Sequence, residues 1–179
     1  MDTTFFPLRL PLFYLFALAI VSFTACGEDD PVQDDSLLVG EWQATSGVQE
    51  GRTTNSGGGF NLALDFTSTL DNPEDYRVTF SSNPNVVTPS GNPSFTTVYT
   101  IDGNTTSMSL PVTEPLQPST YEVSGNTITF IGANGERQDA TLVTLTETEL
   151  VLSGEFNFTQ QTSGFNIEQR SEWTYRFER

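Results

Sequence analysis

From residue 37 onward the chain alternates apolar and polar positions with a period of two, and no stretch keeps a 3.6-residue apolar period over three turns. The alternation predicts a succession of strands. Residues 37–46 place Leu38, Gly40, Trp42 and Ala44 on one face. Residues 60–70 set Phe60, Leu62, Leu64 and Phe66 against Asn61, Ala63, Asp65 and Thr67. Tyr76, Val78 and Phe80 form the next apolar row, and Phe95, Tyr99 and Ile101 the one after. Residues 121–123 and 127–131 flank Ser124-Gly125-Asn126, a strong hairpin signal. Residues 140–146 and 149–159 meet at a turn near Glu147, with Leu142, Leu150, Leu152, Phe156 and Phe158 in their apolar rows. Residues 172–178 close the series with Trp173, Tyr175 and Phe177 on one face.

About nine short strands, each with one apolar face, predict an all-β domain: an up-and-down antiparallel barrel of eight to nine strands, with a β-sandwich as the alternative. Two connections stand out. Residues 47–59 end in Gly57-Gly58-Gly59 and read as a mobile loop. Residues 102–120 are Pro-rich, with a short strand expected at Met108 to Val112. Pro73, Pro84, Pro89, Pro93, Pro111, Pro115 and Pro118 are all assigned to connections, where a missing N–H breaks no ladder.

Composition sharpens this picture. After residue 25 there are 38 Ser or Thr and only four Ala, a balance that favours strands over helices. The net charge is −16, all seven basic residues are Arg, and there is no His. A duplex nucleic-acid partner is therefore not expected, since so few cations cannot build a phosphate-binding patch. A Ser-His-Asp triad, a Lys Schiff base and a Cys/His zinc site are impossible within the chain, and no enzyme activity, cofactor or metal is expected. Asp71-Asn72-Pro73-Glu74-Asp75 offers hard oxygens but lacks the spacing of a calcium loop, and reads as a turn. Abundant acid without Lys points to a saline setting.

The first residues carry an address. Leu10 to Phe23 are uncharged and preceded by Arg9, too short for a comfortable membrane span and of the length of a signal-peptide core. Phe23-Thr24-Ala25-Cys26 follows and resembles the lipobox of bacterial lipoproteins. That resemblance implies cleavage after residue 25 and acylation of Cys26, the only Cys, anchoring the chain to the outer membrane. Gly27-Glu28-Asp29-Asp30 resembles the surface-export signal of lipoproteins in Bacteroidetes-type bacteria, which implies display at the cell surface. Residues 26–36 are then an acidic lipidated tether, and residues 37–179 one domain. Asp35-Ser36-Leu37 resembles an O-glycosylation signal of the same bacteria, with Ser36 as acceptor; it reads equally as the start of the first strand.

Within the domain, Gly40-Glu41-Trp42 resembles the Gly-x-Trp signature of lipocalins and related calycin barrels. Residues 121–130 and 145–152 are similar to later segments of bacterial lipocalin-like lipoproteins. The resemblance implies a lipocalin-like barrel in which Trp42 sits at the closed end beneath an Arg from the C-terminal end. By parity Arg179 shares a face with Trp173, Tyr175 and Phe177, whereas Arg176 points the other way, so Arg179 is the first choice and Arg176 the fallback. The resemblance also makes residues 47–59 a lid candidate.

Two functions from different classes follow. The first is a binding module holding a small apolar or amphipathic ligand, lined by Phe60, Leu62, Phe66, Tyr99, Tyr121 and Phe156. The second is a surface interaction protein whose barrel is filled and whose loops meet a protein or glycan.

Overall fold

The computed structural model describes residues 35–101, 104–110 and 116–179. The expected signal segment, Cys26, most of the tether, the turn at Asp102-Gly103, and Pro111 and Pro115 lie outside the described residues. Asp35–Leu37 forms a short 3-10 turn that contains Ser36. Eleven strands follow among the described residues: β1 (Gly40–Gly57), β2 (Phe60–Leu70), β3 (Tyr76–Ser81), β4 (Val86–Gly91), β5 (Phe95–Ile101), β6 (Asn104–Leu110), β7 (Ser119–Ser124), β8 (Thr127–Ile131), β9 (Arg137–Leu145), β10 (Glu149–Thr162) and β11 (Phe165–Glu178).

All pairings are antiparallel. β1 opens against β3, with Gly40 opposite Phe80 and Gln43 opposite Arg77. Its other edge runs along β11 from Gln43↔Glu178 to Gly57↔Phe165. The order β1-β3-β4-β7-β8-β9-β10-β11 therefore returns to β1 as a closed eight-stranded barrel with extra strands, an all-β architecture. One continuous sheet closing on itself rules out the sandwich.

The extra strands belong to a flared extension. The far half of β1 pairs with β2, β2 with β5, and β5 with β6. β2 and β3 thus lie in line against β1 as one strand interrupted at Asp71–Asp75, and β4 and β5 are likewise interrupted between Gly91 and Phe95. Pro73 starts a 3-10 turn in the first break, and Pro93 lies in the second. Asn72 ties the two breaks together. Its Oδ1 accepts from the Ser94 N–H and hydroxyl, both at 2.8 Å, and its Nδ2 donates to Asp75 Oδ2 at 2.9 Å. Both strands are consequently broken at the same level: below it β4 pairs with β7 in the closed ring, and above it β5 pairs with β6 in the flared sheet β6-β5-β2-β1-β11-β10.

Inside the ring the alternating rows meet. Trp42, Tyr76, Val78, Phe80, Ile128, Leu150, Leu152, Tyr175 and Phe177 are each at most 1% exposed. Tyr175 stacks on Phe177 at 6.2 Å and meets Trp173 edge-on at 5.6 Å. At roughly 1.5–3 kcal/mol for each fully buried large side chain, this packing is the main source of stability. The ring interior is occupied by its own side chains.

Several expectations are corrected. Residues 47–59 are no lid: 47–57 continue β1, and Gly57 to Phe60 make a tight hairpin into β2. A β-bulge between Ala44 and Ser46 shifts the register, so the inward positions change from Trp42 and Ala44 to Gly47, Gln49 and Gly51. Pro89 lies within β4, opposite Val78; among the described residues the ladder to β7 involves only Val86 and Val87, so Pro89 sits on an edge unpaired among those residues, which tolerates it. The connection after Ile101 contains β6, which starts at Asn104 rather than Met108. The last strand begins at Phe165, joined to β10 through Ser163-Gly164, both with positive φ.

Candidate functional site

At the closed end the start of β1 meets the end of β11. The Arg179 guanidinium carbon lies 4.0 Å from the centroid of the Trp42 ring. Arg179 Nη2 also donates to the Leu37 and Val39 carbonyls, both at 2.7 Å. Trp42 Nε1 donates to the Leu38 carbonyl at 2.8 Å, so the buried indole is satisfied. Arg176 is instead exposed on the outer surface, 3.4 Å from Glu149.

The opposite, flared end carries a broad inward-facing surface. Directly opposed residues on neighbouring strands share a face, so the registers assemble rows across the sheet. One row runs Phe156 (β10), Ser171 (β11), Gly51 (β1), Phe66 (β2), Tyr99 (β5). Aromatic rings stand at both ends of this row, and its middle holds the two smallest side chains. Phe66 and Tyr99 are 6.2 Å apart. Phe156 stacks with Phe158, the next residue on the same face, at 6.4 Å and 8°. Further out the face continues with Leu62 and Ile167, then Phe60 and Phe165 flanking Gly57.

One step toward the core the row changes character. Trp173, Gln49, Ser68 and Thr97 lie in register. The Ser68 and Thr97 hydroxyls share a buried 2.7 Å hydrogen bond, and Gln49 Nε2 donates to Ser171 Oγ at 2.7 Å. Trp173 Nε1 is buried and has no acceptor among the described residues. A polar layer therefore separates the packed ring from the open face. An apolar body fits against the rings, and a polar group that reaches this layer finds hydroxyls, an amide and an indole N–H.

Of the lining residues expected from sequence, Phe60, Leu62, Phe66, Tyr99 and Phe156 share this face. Phe60 is 54% and Phe156 40% exposed, whereas Phe66 is buried at 7%. Tyr121 does not belong to it. β7 is part of the closed ring, and Tyr121 packs edge-on against Phe80 at 5.4 Å with its hydroxyl donating to the Ser81 carbonyl. It borders a separate cavity of about 480 Å³ shared with Ser36, Val39 and Asn85. Sequence reasoning missed Gly51, Gln49 and Ser171. For Gln49 and Gly51 the signal is the one-residue frame shift at the bulge, after which small and polar residues occupy inward positions; Ser171 continues the alternation of Trp173, Tyr175 and Phe177 one residue before the expected start of the last strand. A groove of about 860 Å³ is lined mainly by charged and polar residues of the opposite face of the same strands, and also by Gly51, Phe158, Gln169 and Ser171. The turn at Pro73–Asp75 packs by hydrogen bonds, and no group of three or more carboxylates suited to a metal occurs among the described residues.

The family model of the lipocalin-like domain matches residues 38–152, well over half of the chain. The match begins at Leu38 beside the Trp42 closure and ends within β10; the structure adds the rest of β10 and β11, which close the ring. No curated protein and no solved structure matches the chain. A lipocalin-like barrel is a scaffold suited to holding a small ligand. With the closed eight-stranded ring and the matched region together, the chain belongs to the lipocalin-like domain family.

Proposed function

We propose that the protein is a non-catalytic binding protein of the cell envelope, tethered to the outer membrane through acylated Cys26, which holds a small amphipathic ligand on the inner face of its flared sheet. The observation that carries this reading is the row Phe156, Ser171, Gly51, Phe66, Tyr99: two aromatic walls with a floor of small side chains. The polar layer beneath favours a ligand with a hydrogen-bond acceptor at one end over a pure hydrocarbon. The lipobox resemblance and the acidic residues behind Cys26 support the anchor and its display at the cell surface.

Parinaric acid, a fluorescent fatty acid, tests the site. Saturable energy transfer from tryptophan to bound parinarate is expected. Replacing the exposed pair Phe156→Ala and Phe158→Ala lowers its affinity at least tenfold without unfolding the ring. Absent transfer, or equal affinity in the double variant, overturns the reading. The anchor is tested separately: palmitate labelling is lost in Cys26→Ala, and protease added to intact cells removes the domain. Full protection of the domain would place it on the inner leaflet.

The filled interior of the ring supports a second reading, a surface protein that meets a protein or glycan through its loops. Under that reading parinarate does not bind.

A further inference from the structure

On the outer face of the flared sheet the charges are ordered in rows. Glu155, Glu172 and Glu50 lie directly opposite one another across β10, β11 and β1. Two residues along the strands, Arg170 and Arg52 lie directly opposite each other. Like charges placed opposite on neighbouring strands repel, so each row is unfavourable alone. Arg52 is joined to Asp65 at 3.2 Å. Arg170 has no such partner. Among the described residues Arg77, Arg137 and Arg176 each pair with a glutamate and Arg179 covers Trp42, which leaves Arg170 as the one guanidinium without an ion pair or ring contact. Both rows line the groove of about 860 Å³.

The two rows place opposite charges side by side. Their separation along the strand is about 7 Å, two residues at the β rise. A ligand that relieves both rows carries an anionic group over Arg170 and Arg52 and a cationic group over the three glutamates. The groove lining holds five carboxylates and two guanidiniums, so the cationic end is attracted most strongly and a monoanion is preferred to a dianion. Among the described residues no three carboxylates are placed to hold a metal. The N–H donors of an organic ammonium, in contrast, reach several spaced carboxylates at once.

We propose that this groove is a second binding site, set mainly on the charged face, for a zwitterion with a primary ammonium and a carboxylate roughly 7 Å apart, the chemistry of an ω-amino acid or a short peptide. Arg170 receives the carboxylate, and Glu172, at the centre of its row, receives the ammonium.

Calorimetric titration of the full chain at low salt with ε-aminocaproate, caproate and hexylamine tests this. ε-Aminocaproate binds at least tenfold more tightly than either single-charge analogue. Arg170→Gln reduces its affinity to that of hexylamine, and Glu172→Gln weakens it at least fivefold. Glu172→Gln also raises the thermal midpoint of the unliganded chain, because it breaks the row of like charges; this measurement separates loss of the site from loss of the fold. Phe156→Ala alone, at an apolar-face residue that does not line the groove, leaves ε-aminocaproate binding unchanged. The proposal is overturned if hexylamine binds as tightly as ε-aminocaproate, which would be simple counter-ion attraction, or if ε-aminocaproate does not bind.

Discussion

Gly40 shows how one residue can hold an end of the barrel together. Its φ of +138° lies where side chains are strained, and a Cβ there would come within 3.1 Å of Arg179 Nη2. The glycine leaves room for the guanidinium to lie over Trp42 while reaching two carbonyls. Arg179→Ala removes the ring contact and two charge-assisted hydrogen bonds at a solvent-exposed site. It is expected to cost about 1–2 kcal/mol, read as a lower urea midpoint at unchanged slope. Arg179→Lys recovers only part of this, since an ammonium lacks the planar fork. Gly51 is constrained differently, by space alone. A Cβ there would lie 2.3 Å from the Arg170 carbonyl oxygen and 2.5 Å from Ser171 Cβ. Gly51→Ala therefore forces β1 and β11 apart. It is expected to cost about 1–3 kcal/mol and to weaken parinarate binding, whereas Thr53→Ala, one step outward on the same face, leaves stability nearly unchanged.

At the scale of elements, legibility depended on whether a strand kept its parity. β3 and the end of β11 alternate without interruption, so Tyr76 and Trp173 could be assigned inward from sequence. β1 does not. The bulge after Ala44 changes which residues face inward, and Gly47 and Gly51 imitate a flexible loop where they are making room for Tyr175 and Ser171. β4 was hidden by Pro89, whose place on an edge unpaired among the described residues depends on the strand order and not on the local sequence. The ligand face was half legible for the same reason. Its aromatic ends, Phe66, Tyr99 and Phe156, stand in alternating runs, but its floor is set by register between strands distant in sequence. The joint between ring and flare rests on Asn72. Asn72→Ala removes the acceptor for two Ser94 donors and the link to Asp75, and is expected to destabilise by about 1–3 kcal/mol. Hydrogen exchange checks where the loss falls: amides of β2 and β5 near the break exchange faster, while those of β8 and β9 keep their protection.

For the whole molecule the balance is between a filled apolar ring and a strongly acidic surface. The chain carries −16, and the four ion pairs among the described residues all involve exposed side chains. Exposed pairs contribute about 0–1 kcal/mol each at most, and salt screens them. The same salt also screens repulsion among the unpaired carboxylates, which outnumber the cations. At about 10 mM salt the screening length is roughly 30 Å, long enough for carboxylates on different strands to repel; at about 150 mM it falls to roughly 8 Å. Excess repulsion therefore outweighs the lost pairs, and stability rises with salt. The thermal midpoint is expected to climb by several degrees between these two concentrations, then to flatten once screening is shorter than the spacing between rows. Sodium chloride and an equally concentrated larger monovalent salt should act alike in this range, because screening depends on ionic strength and not on ion identity. A midpoint that stays level or falls with added salt would mean that the exposed pairs, and not the acidic surplus, govern the surface. In that case Glu172→Gln, which removes one charge from the densest acidic row, would bring no gain at low salt; under net repulsion its gain is largest there and fades as salt is added.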